Sequence, residues 1–414
     1  MVVQFNKMNE IKRANAQIDA DIISAVNTTA EPALSQEIAE ATAEAINFVK
    51  DLFAGVRTFS TADLDAHPDE LSRAVQNALV GAKIDPSQEY TKDTPIMCYN
   101  GTAFATLRNF SQVIGLPKSR KTWFSQMVAG SFLAAQLGNK YDDKLAGEKI
   151  NDGNASVLII DTEQGDYRAA KMQSTIAAIA GLSTEQVGKY LTTLSMRKFG
   201  SDISFIATVA QMILQRPKLV IIDGIADLVT NPNDPAQSAI IYQFLLQASA
   251  KYNCHIMVVI HANQSALSKD KAEPMSRGRG HLGSDLERKS EANIWLEKPE
   301  TDSTVTNVFF TSTRDKTPEN FAFRIDGANI PRPCDFVAVT SKQERENEKI
   351  AQVVQVMKSK QVSLWAACDL KQELTALSIS ESTAKRLMKL ALDAGLIEKI
   401  GSGKNVFYRI KNDQ

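Results

Sequence analysis

GLPKSRKT, the stretch from Gly115 to Thr122, follows the apolar pair Val113-Ile114 and precedes a helical pattern, WFSQMVAGSFLAAQL. It matches the phosphate-loop pattern G-x-x-x-x-G-K-[ST] except at one position, where Arg120 replaces the second glycine. Such a loop turns its backbone N–H groups around phosphates at the positive end of the following helix. The sequence therefore predicts a phosphate-binding loop, and the alternative is a solvated basic turn at the same place.

The side chains of this loop suit a nucleoside triphosphate with Mg²⁺. Lys121 is placed to reach the β- and γ-phosphates, and the hydroxyl of Thr122 is placed to hold the metal ion. Arg120 has a Cβ, which narrows its backbone angles, but it also adds a third cation beside Lys118 and Lys121. The residues expected to bind the cofactor, ATP, are Gly115, Lys118, Ser119, Arg120, Lys121 and Thr122.

Three apolar runs that follow the loop end in polar side chains. SVLIIDTEQGD places Glu163 just after a predicted buried strand, and LVIID places Asp223 at the end of another. In the Walker B pattern, such a carboxylate orients the water shell of Mg²⁺. HIMVVIHANQ then ends in His261, Asn263 and Gln264. Strands that alternate with helices predict an α/β fold with a parallel sheet, and the carboxyl ends of its strands are expected to form the site. The alternative is that an apolar strand ends in Asp without any function.

The composition bounds the class of protein. The chain has 414 residues, enough for two or three domains, and a formal net charge of -1, so any nucleic-acid contact must be local. The four cysteines are far apart and form no CxxC pair, which argues against a disulfide framework or a zinc site. No apolar run has the length of a membrane-spanning helix, and no signal peptide is evident, so we expect a cytoplasmic protein without membrane contact.

Changes in composition divide the chain into three regions. Residues 1–95 carry amphipathic helical patterns, with a break near Pro32 and a further helix from Pro68, and we expect these helices to pack or to oligomerise. Residues 96–340 hold the site motifs and form the α/β domain. Residues 341–414 begin with a charged hinge and form a separate unit.

The α/β domain contains two further local signals. An Asn100-Gly101 pair predicts a hairpin before the phosphate loop. The stretch from Ser265 to Ser284 is polar and contains glycine, which predicts a long loop that is functional or mobile, and DLERKSEANIWLEK after it predicts a return to short strands. The basic residues of the loop that are suited to DNA phosphates are Lys269, Lys271, Arg277 and Arg279.

Residues 341–414 show three helical patterns followed by two short strands around a turn from Gly401 to Lys404. This order is typical of a winged helix-turn-helix domain, whose third helix enters the major groove of duplex DNA. A winged helix that binds protein, with its basic residues only solvated, is the alternative. The side chains expected to contact DNA are Lys385, Arg386 and Lys389 of the third helix and Lys404 of the wing.

Four motifs of this chain resemble those of RecA-like ATPases in their order and approximate spacing. They are the loop GLPKSRKT, Glu163 after LIID, Asp223 after LVII and the HANQ strand. Within them the chain looks most like the RepA-type hexameric helicases of plasmids and other mobile elements. The resemblance covers residues Ile96 to Asp335 approximately. It implies a mainly parallel sheet flanked by helices, with ATP held between neighbouring subunits of a homo-oligomer, which in that branch is a hexameric ring.

The resemblance also implies roles for the residues that match. Lys121 and Thr122 would bind the phosphates and Mg²⁺, Asp223 would support the metal ion, and Glu163 would polarise the attacking water.

Three kinds of contact beyond the phosphates follow from the same resemblance. His261 and Gln264 stand where such proteins sense the γ-phosphate and relay its presence to a DNA-facing loop, here the basic stretch after Gln264. Arg314 and Lys316 resemble the basic pair that a neighbouring subunit inserts as a finger to stabilise charge on the transferred phosphoryl group. Their order departs from the more familiar pattern.

These motifs favour a DNA-dependent ATPase, a helicase-like motor that holds single-stranded DNA at the ATPase loop and duplex DNA at the winged helix. It would act in the replication or mobilisation of a genetic element. The alternative is an oligomeric DNA-binding regulator that uses ATP only to assemble, and a RecA-like scaffold without turnover is a third reading. Glu163 favours hydrolysis, whereas Arg120 and the absence of an attached primase motif leave room for the regulator.

Overall fold

The structure is a computed structural model of the chain. The described residues are 32–55, 68–90, 92–151, 156–263, 278–299, 302–337, 342–360, 362, 364–376, 379–401 and 406–411. Those up to Val337 form one compact unit, and those from Lys342 onward belong to another. Among these residues, no helix combines the length and the apolar character needed to cross a membrane.

The first unit alternates strands and helices along most of its length. Its elements are α1 (Pro32–Gly55), α2 (Pro68–Ala82), β1 (Pro95–Tyr99), β2 (Thr102–Thr106), β3 (Phe110–Gly115), α3 (Lys121–Gln136), β4 (Leu145–Gly147), β5 (Val157–Asp161), α4 (Asp166–Ala180), α5 (Thr184–Val187), β6 (Leu191–Ser195), α6 (Ser201–Gln215), β7 (Leu219–Asp223), α7 (Pro235–Tyr252), β8 (His255–His261), α8 (Gly280–Lys289), β9 (Ala292–Glu297), β10 (Val305–Thr313), β11 (Phe321–Ile325) and β12 (Pro331–Cys334).

A nine-stranded sheet is the centre of this unit, with the order β12-β11-β10-β9-β3-β8-β7-β5-β6. The six strands from β9 to β6 pair in parallel, and β10, β11 and β12 are added antiparallel at one side. Strands β5 and β7 are buried along their whole length, as expected for parallel strands covered by helices on both faces. The prediction of a mostly parallel α/β sheet is confirmed.

The register of the parallel strands brings the site motifs to one edge of the sheet. Gly115 at the end of β3 pairs with His261 at the end of β8, and Asp161 at the end of β5 pairs with Asp223 at the end of β7. All four residues therefore lie at the carboxyl edge, where open α/β sheets bind ligands.

Helix α3, which follows the phosphate loop, is buried on nearly every side. It contacts strands of the large sheet and also β1 and β4 of a small antiparallel sheet, in which β1 pairs with both β2 and β4. Phe124, Met127 and Phe132 are fully buried, and Gly147 of β4 approaches so closely that a Cβ would lie 2.8 Å from the Cα of Phe132. This packing explains why the helix has no polar face.

The predicted hairpin is present, and so are the helices predicted after Pro32 and from Pro68, whereas the helical pattern predicted before Pro32 lies outside the described residues. Asn100 and Gly101 join β1 to β2 with φ values of 46° and 72°, the left-handed backbone that this dipeptide tolerates. Helix α1 begins at Pro32, as predicted, and buries Ala45 and Leu52 in its packing against α6 and α7.

One predicted segment is wrong. The first half of DLERKSEANIWLEK belongs to helix α8, so the predicted loop from Ser265 ends before Gly280 rather than at Ser284. Two glycines explain why the sequence did not predict this helix. Gly280 has φ 75°, and Gly283 lies against the backbone of Gly278, where a Cβ would come within 2.2 Å. Burial of Leu282 and Leu286, four residues apart, fixes the helix against the sheet domain.

Among its described residues, the second unit contains three helices and a three-stranded antiparallel sheet, in which β15 (Phe407–Ile410) lies between β13 (Trp365–Ala366) and β14 (Ile397–Ile400). Leu370, Leu387 and Ala391 are fully buried in its core, and the Oγ of Ser380 accepts a hydrogen bond from the N–H of Thr383 at the start of the third helix. The predicted sequence of three helices and a hairpin is present. Its elements are α9 (Lys342–Ser359), β13 (Trp365–Ala366), α10 (Ala367–Ala376), α11 (Glu381–Asp393), β14 (Ile397–Ile400) and β15 (Phe407–Ile410).

Candidate functional site

The loop between β3 and α3 has a backbone that few side chains would allow. At Gly115 a Cβ would lie 2.4 Å from the Oγ of Ser119 and 2.8 Å from the carbonyl oxygen of Leu296, so only glycine fits. Lys118 and Arg120 both have left-handed backbone angles, with φ 67° and 66°. The loop therefore makes two left-handed bends before α3 begins.

Arg120, the departure from the glycine pattern, is held by protein oxygen atoms. Its guanidinium donates hydrogen bonds to the carbonyl oxygens of Ser303 and Thr304 at 3.0 and 2.9 Å and to the Oγ1 of Thr306 at 3.0 Å. Partial burial lowers the pKa of Arg120, and nearby Asp302 opposes that shift. Arg120 is one of the three cations predicted to face an anion. In the structure its guanidinium joins the phosphate loop to the start of β10.

Lys121 lies inside the loop and is 8% exposed. Its Nζ donates to the carbonyl oxygens of Gly115 and Leu116, both at 3.1 Å, and lies 3.2 Å from the Nδ1 of His261. Burial lowers the pKa of Lys121, while Glu163 and Asp223 act in the opposite direction. The ammonium is therefore held by weak neutral acceptors that a phosphate oxygen could replace.

His261 joins Lys121 to Glu163. The Nε2 of His261 lies 2.9 Å from the Oε1 of Glu163, and this hydrogen bond is the main cause that lowers the pKa of Glu163. Glu163 is thus an ionised, partly exposed carboxylate at the mouth of the loop. The chain Lys121–His261–Glu163 connects three residues that the sequence placed on three separate elements.

Thr122 and Asp223 form the second contact of the site. The Oγ1 of Thr122 donates to the Oδ2 of Asp223 at 2.6 Å, and the Nε2 of Gln164 donates to the Oγ1 of Thr122 at 3.3 Å. Burial is the main cause that raises the pKa of Asp223 to about 6. A hydroxyl and a carboxylate at this distance are the hard oxygen donors that Mg²⁺ prefers.

The protein residues alone do not make a closed metal site. Among the described residues, no three His, Cys, Asp or Glu side chains are grouped so as to hold a metal ion. Mg²⁺ usually takes one or two protein oxygens together with substrate phosphates and water. Thr122 and Asp223 fit that arrangement, in which a bound nucleotide supplies the other ligands.

The sequence analysis missed the residues that support Glu163. The Oδ1 of Asp161 accepts from the backbone N–H groups of Glu163 and Gln164 at 3.0 and 2.9 Å, and Thr162 donates to Asp227 at 2.7 Å. The only signal was the polar run DTEQ directly after an apolar strand. These contacts fix the turn that carries Glu163.

A cavity of about 670 Å³ opens beside these residues, within the range of small-ligand sites. Its lining includes Lys118, Lys121 and Asp223 of the site and further side chains of α3 and α4. The cavity is therefore long enough to take more than a phosphate group.

Arg314 and Lys316 lie far from this cavity. Arg120 contacts the first residues of β10, whereas Arg314 follows the last residue of that nine-residue strand, roughly 30 Å away. The Nη2 of Arg314 donates to the carbonyl oxygen of Lys289 at 2.6 Å. The side chain of Arg314 therefore does not reach the phosphate loop of this chain.

The structure describes only some of the residues predicted to bind DNA. Gln264, Lys269, Lys271, Arg277 and Lys404 lie outside the described residues. The N–H of Arg279 donates to the carbonyl oxygen of His261 at 2.9 Å, and Ala262 pairs with Gly278 in an isolated bridge. The two ends of the segment between Ala262 and Gly278 therefore meet next to His261.

Three predicted DNA contacts lie on helix α11. Lys385, Arg386 and Lys389 are all exposed. Lys385 forms an ion pair with Glu381 at 3.2 Å, one turn earlier on the same helix. Part of the positive charge of this face is thus neutralised by the helix itself.

The raised pKa of Asp223 predicts how stability depends on pH. Because the folded-state pKa lies near 6 and the ordinary value is 3.8, the folded protein binds more protons than the unfolded chain between these pH values. The contribution of Asp223 to stability therefore falls as pH rises from about 4 to 6. We expect Asp223→Asn to melt several degrees above the wild type at pH 7.5, with the difference shrinking towards pH 5.

Scanning calorimetry of the nucleotide-free protein from pH 5 to 8 checks this. Asp234→Asn is the matched control, because Asp234 caps α7 and asparagine is an equally good cap. Asp223→Asn protein that melts at or below the wild-type temperature at pH 7.5 would contradict the assignment of a strained, buried carboxylate.

Parts of this chain are similar to known proteins. The family model AAA_25, described as an AAA domain, matches residues 104–266. One solved structure, the crystal structure of the RadB recombinase, aligns with 55% of this chain and 92% of its own, at 16% identity and a TM-score of 0.37. No curated protein matches the sequence. The matched segment carries the phosphate loop, Glu163, Asp223 and His261, so over these residues the chain is similar to an AAA domain.

Proposed function

We propose that the protein is a DNA-dependent ATPase that works as an oligomer, a helicase-like motor of the RepA type serving the replication or mobilisation of a genetic element. The observation that carries this proposal is the chain Lys121–His261–Glu163 at the carboxyl edge of the sheet. In this chain His261 contacts both the ammonium of Lys121, which is proposed to bind phosphate, and the carboxylate of Glu163, which is proposed to act on water. His261 also lies next to the start of the predicted basic loop.

Hydrolysis follows from what these residues can do once MgATP is bound. The β- and γ-phosphates replace the carbonyl oxygens of Gly115 and Leu116 as partners of Lys121, a stronger pairing because both partners are charged. Thr122 and Asp223 would hold Mg²⁺ through their side-chain oxygen atoms. Glu163, ionised at neutral pH, orients a water molecule for attack on the γ-phosphate and accepts its proton.

DNA binding is coupled to this site through backbone hydrogen bonds. The N–H of Ala262 donates to the carbonyl oxygen of Gly115 at 3.0 Å, and the N–H of Arg279 donates to that of His261. The residues on either side of the predicted basic loop, Ala262 and Arg279, are therefore bonded to Gly115 and His261 at the proposed nucleotide site. A shift of His261 on phosphate binding would move the loop and its grip on single-stranded DNA.

The C-terminal unit is proposed to be a winged helix that binds duplex DNA. Its order of helices and strands supports this, and α11 presents Lys385, Arg386 and Lys389 on its exposed surface. The ion pair between Lys385 and Glu381 limits the net charge of that surface. Duplex binding should therefore be moderate and sensitive to salt.

A regulator that binds ATP without hydrolysing it is the second candidate, and Arg120 is the observation that favours it. Arg120 donates hydrogen bonds to Ser303, Thr304 and Thr306, so the shape of the loop is fixed by contacts within the protein. Such a loop could bind nucleotide as a structural element only. The two candidates differ in whether turnover occurs and whether it depends on Glu163.

ATP hydrolysis measured with and without single-stranded DNA tests the proposal. We expect DNA to stimulate turnover of the wild type, and we expect Glu163→Gln to bind ATP while its turnover falls roughly 100-fold or more, because the water is no longer oriented and deprotonated. Gln173→Glu, on the neighbouring helix α4, is a control that should behave as the wild type. ATP binding without DNA-stimulated turnover would favour the regulator instead.

The distance between Arg314 and its own phosphate loop predicts an arrangement between subunits. If Arg314 serves the site of a neighbour, Arg314→Ala and Lys121→Ala proteins, each inactive alone, should recover part of the activity when mixed. Each mixed oligomer then holds some sites with an intact loop and an intact finger.

The matched control is a mixture of Lys121→Ala with Glu163→Gln, which damage the same half of the site and should not complement one another. Absence of recovery in the first mixture, when labelled subunits demonstrably exchange, would remove Arg314 from the site.

A further inference from the structure

Gln126, on helix α3, lies in the cavity beyond the phosphate loop and has no partner. It is 6% exposed, it lines the cavity, and its Oε1 is buried without a hydrogen bond to any described residue. Leaving a buried amide oxygen unpaired destabilises the folded protein, because the oxygen has lost its hydrogen bonds to water. Such groups in native proteins call for an explanation, and a ligand that completes the hydrogen bond is one.

The position of Gln126 along α3 suits a nucleoside rather than a phosphate. It follows Thr122 by one helical turn, on the same face, and roughly 6 Å further along the axis. A nucleotide whose phosphates are held at Lys121 and Thr122 has its sugar and base beyond that distance. Gln126 and Thr175 of α4 both line the cavity, and its volume of about 670 Å³ leaves space for a base as well as phosphates.

The walls around Gln126 are suited to a planar ring. Trp123 and Met172 line the same part of the cavity and offer an aromatic and a polarisable apolar surface. The Oγ1 of Thr175 already donates to the carbonyl oxygen of Lys171 at 3.2 Å. The amide of Gln126 is therefore the group in this part of the cavity that still has both a donor and an acceptor to offer.

We propose that Gln126 reads the base of the bound nucleotide and selects adenine. This inference rests on the proposed nucleotide site. A carboxamide presents a donor and an acceptor side by side, and its bidentate partner among the bases is adenine, whose N6 amino group donates and whose N7 accepts. Because Oε1 is buried, the side chain has to rotate about its torsion angles when the nucleotide binds, so that Oε1 and Nε2 both face the base.

The test compares three ligands, each with Mg²⁺: ATP, GTP and inorganic tripolyphosphate. Binding is measured by calorimetry on the full-length wild type, Gln126→Met and Gln126→Glu. Methionine keeps the volume and removes the hydrogen bonds. Glutamate replaces the donor by a second acceptor, which suits the two adjacent donors of guanine, N1–H and the N2 amino group.

We expect the wild type to prefer ATP to GTP. Gln126→Met should lose roughly 5- to 150-fold in affinity for ATP, the worth of one bidentate base contact, with tripolyphosphate affinity unchanged. Gln126→Glu should reverse the ratio of ATP to GTP affinity, which a merely structural role would not do. Gln173→Met, on α4 but outside the cavity lining, should leave all three affinities as they are.

Two results would overturn the inference. One is unchanged ATP and GTP affinity in both Gln126 variants. The other is a parallel loss of ATP and tripolyphosphate in Gln126→Met without reversal in Gln126→Glu, which would make Gln126 a packing residue. Failure of the nucleotide site itself looks different, because the wild type would then bind neither ATP nor tripolyphosphate.

Discussion

The parallel register of β3, β8, β7 and β5 is the constraint on which the rest of the site depends. It places Gly115 beside His261 and Asp161 beside Asp223, so residues from four strands meet at one edge without any long loop to position them. A shift of one residue in any of these strands would turn its terminal side chain to the other face of the sheet. Burial of the aliphatic residues on both faces fixes the register and, through it, the geometry of the site.

Arg120 shows how the phosphate loop keeps its shape without the usual second glycine. A left-handed conformation costs a non-glycine residue about 1–2 kcal/mol. Three hydrogen bonds from a charged donor to Ser303, Thr304 and Thr306 offset that cost. The loop therefore has a second anchor in the antiparallel part of the sheet, and it is held in its bent form before any phosphate binds.

Local signals made much of this site predictable. Each motif combines an apolar strand with a distinctive polar sequence at its end, and this pattern can be recognised from neighbouring residues alone. The motifs are GLPKSRKT after β3, VLIID and LVIID. The partners of Arg120 were not predictable, because they lie more than 180 residues away in the sequence and have no motif. Helix α8 was missed because Gly280 and Gly283 lower helix propensity, while the close backbone contact that requires Gly283 is visible only in three dimensions.

The same limit applies to the supporting residues. Asp161 and Thr162 act through backbone and side-chain contacts to the turn that carries Glu163, and nothing in their local sequence distinguishes them from the end of an ordinary strand. Gln126 likewise belongs to a helix whose pattern indicates burial only. Its unpaired amide becomes visible when the cavity beside it is known.

The central claim is that GLPKSRKT binds the phosphates of ATP through Lys121. The most direct measurement is calorimetric binding of MgATP to the intact protein and to Lys121→Ala, with Lys118→Ala, an exposed cation of the same loop, as the control. The account predicts that Lys121→Ala loses roughly 100-fold or more in affinity and that Lys118→Ala loses far less. Equal affinity in the wild type and Lys121→Ala would contradict it.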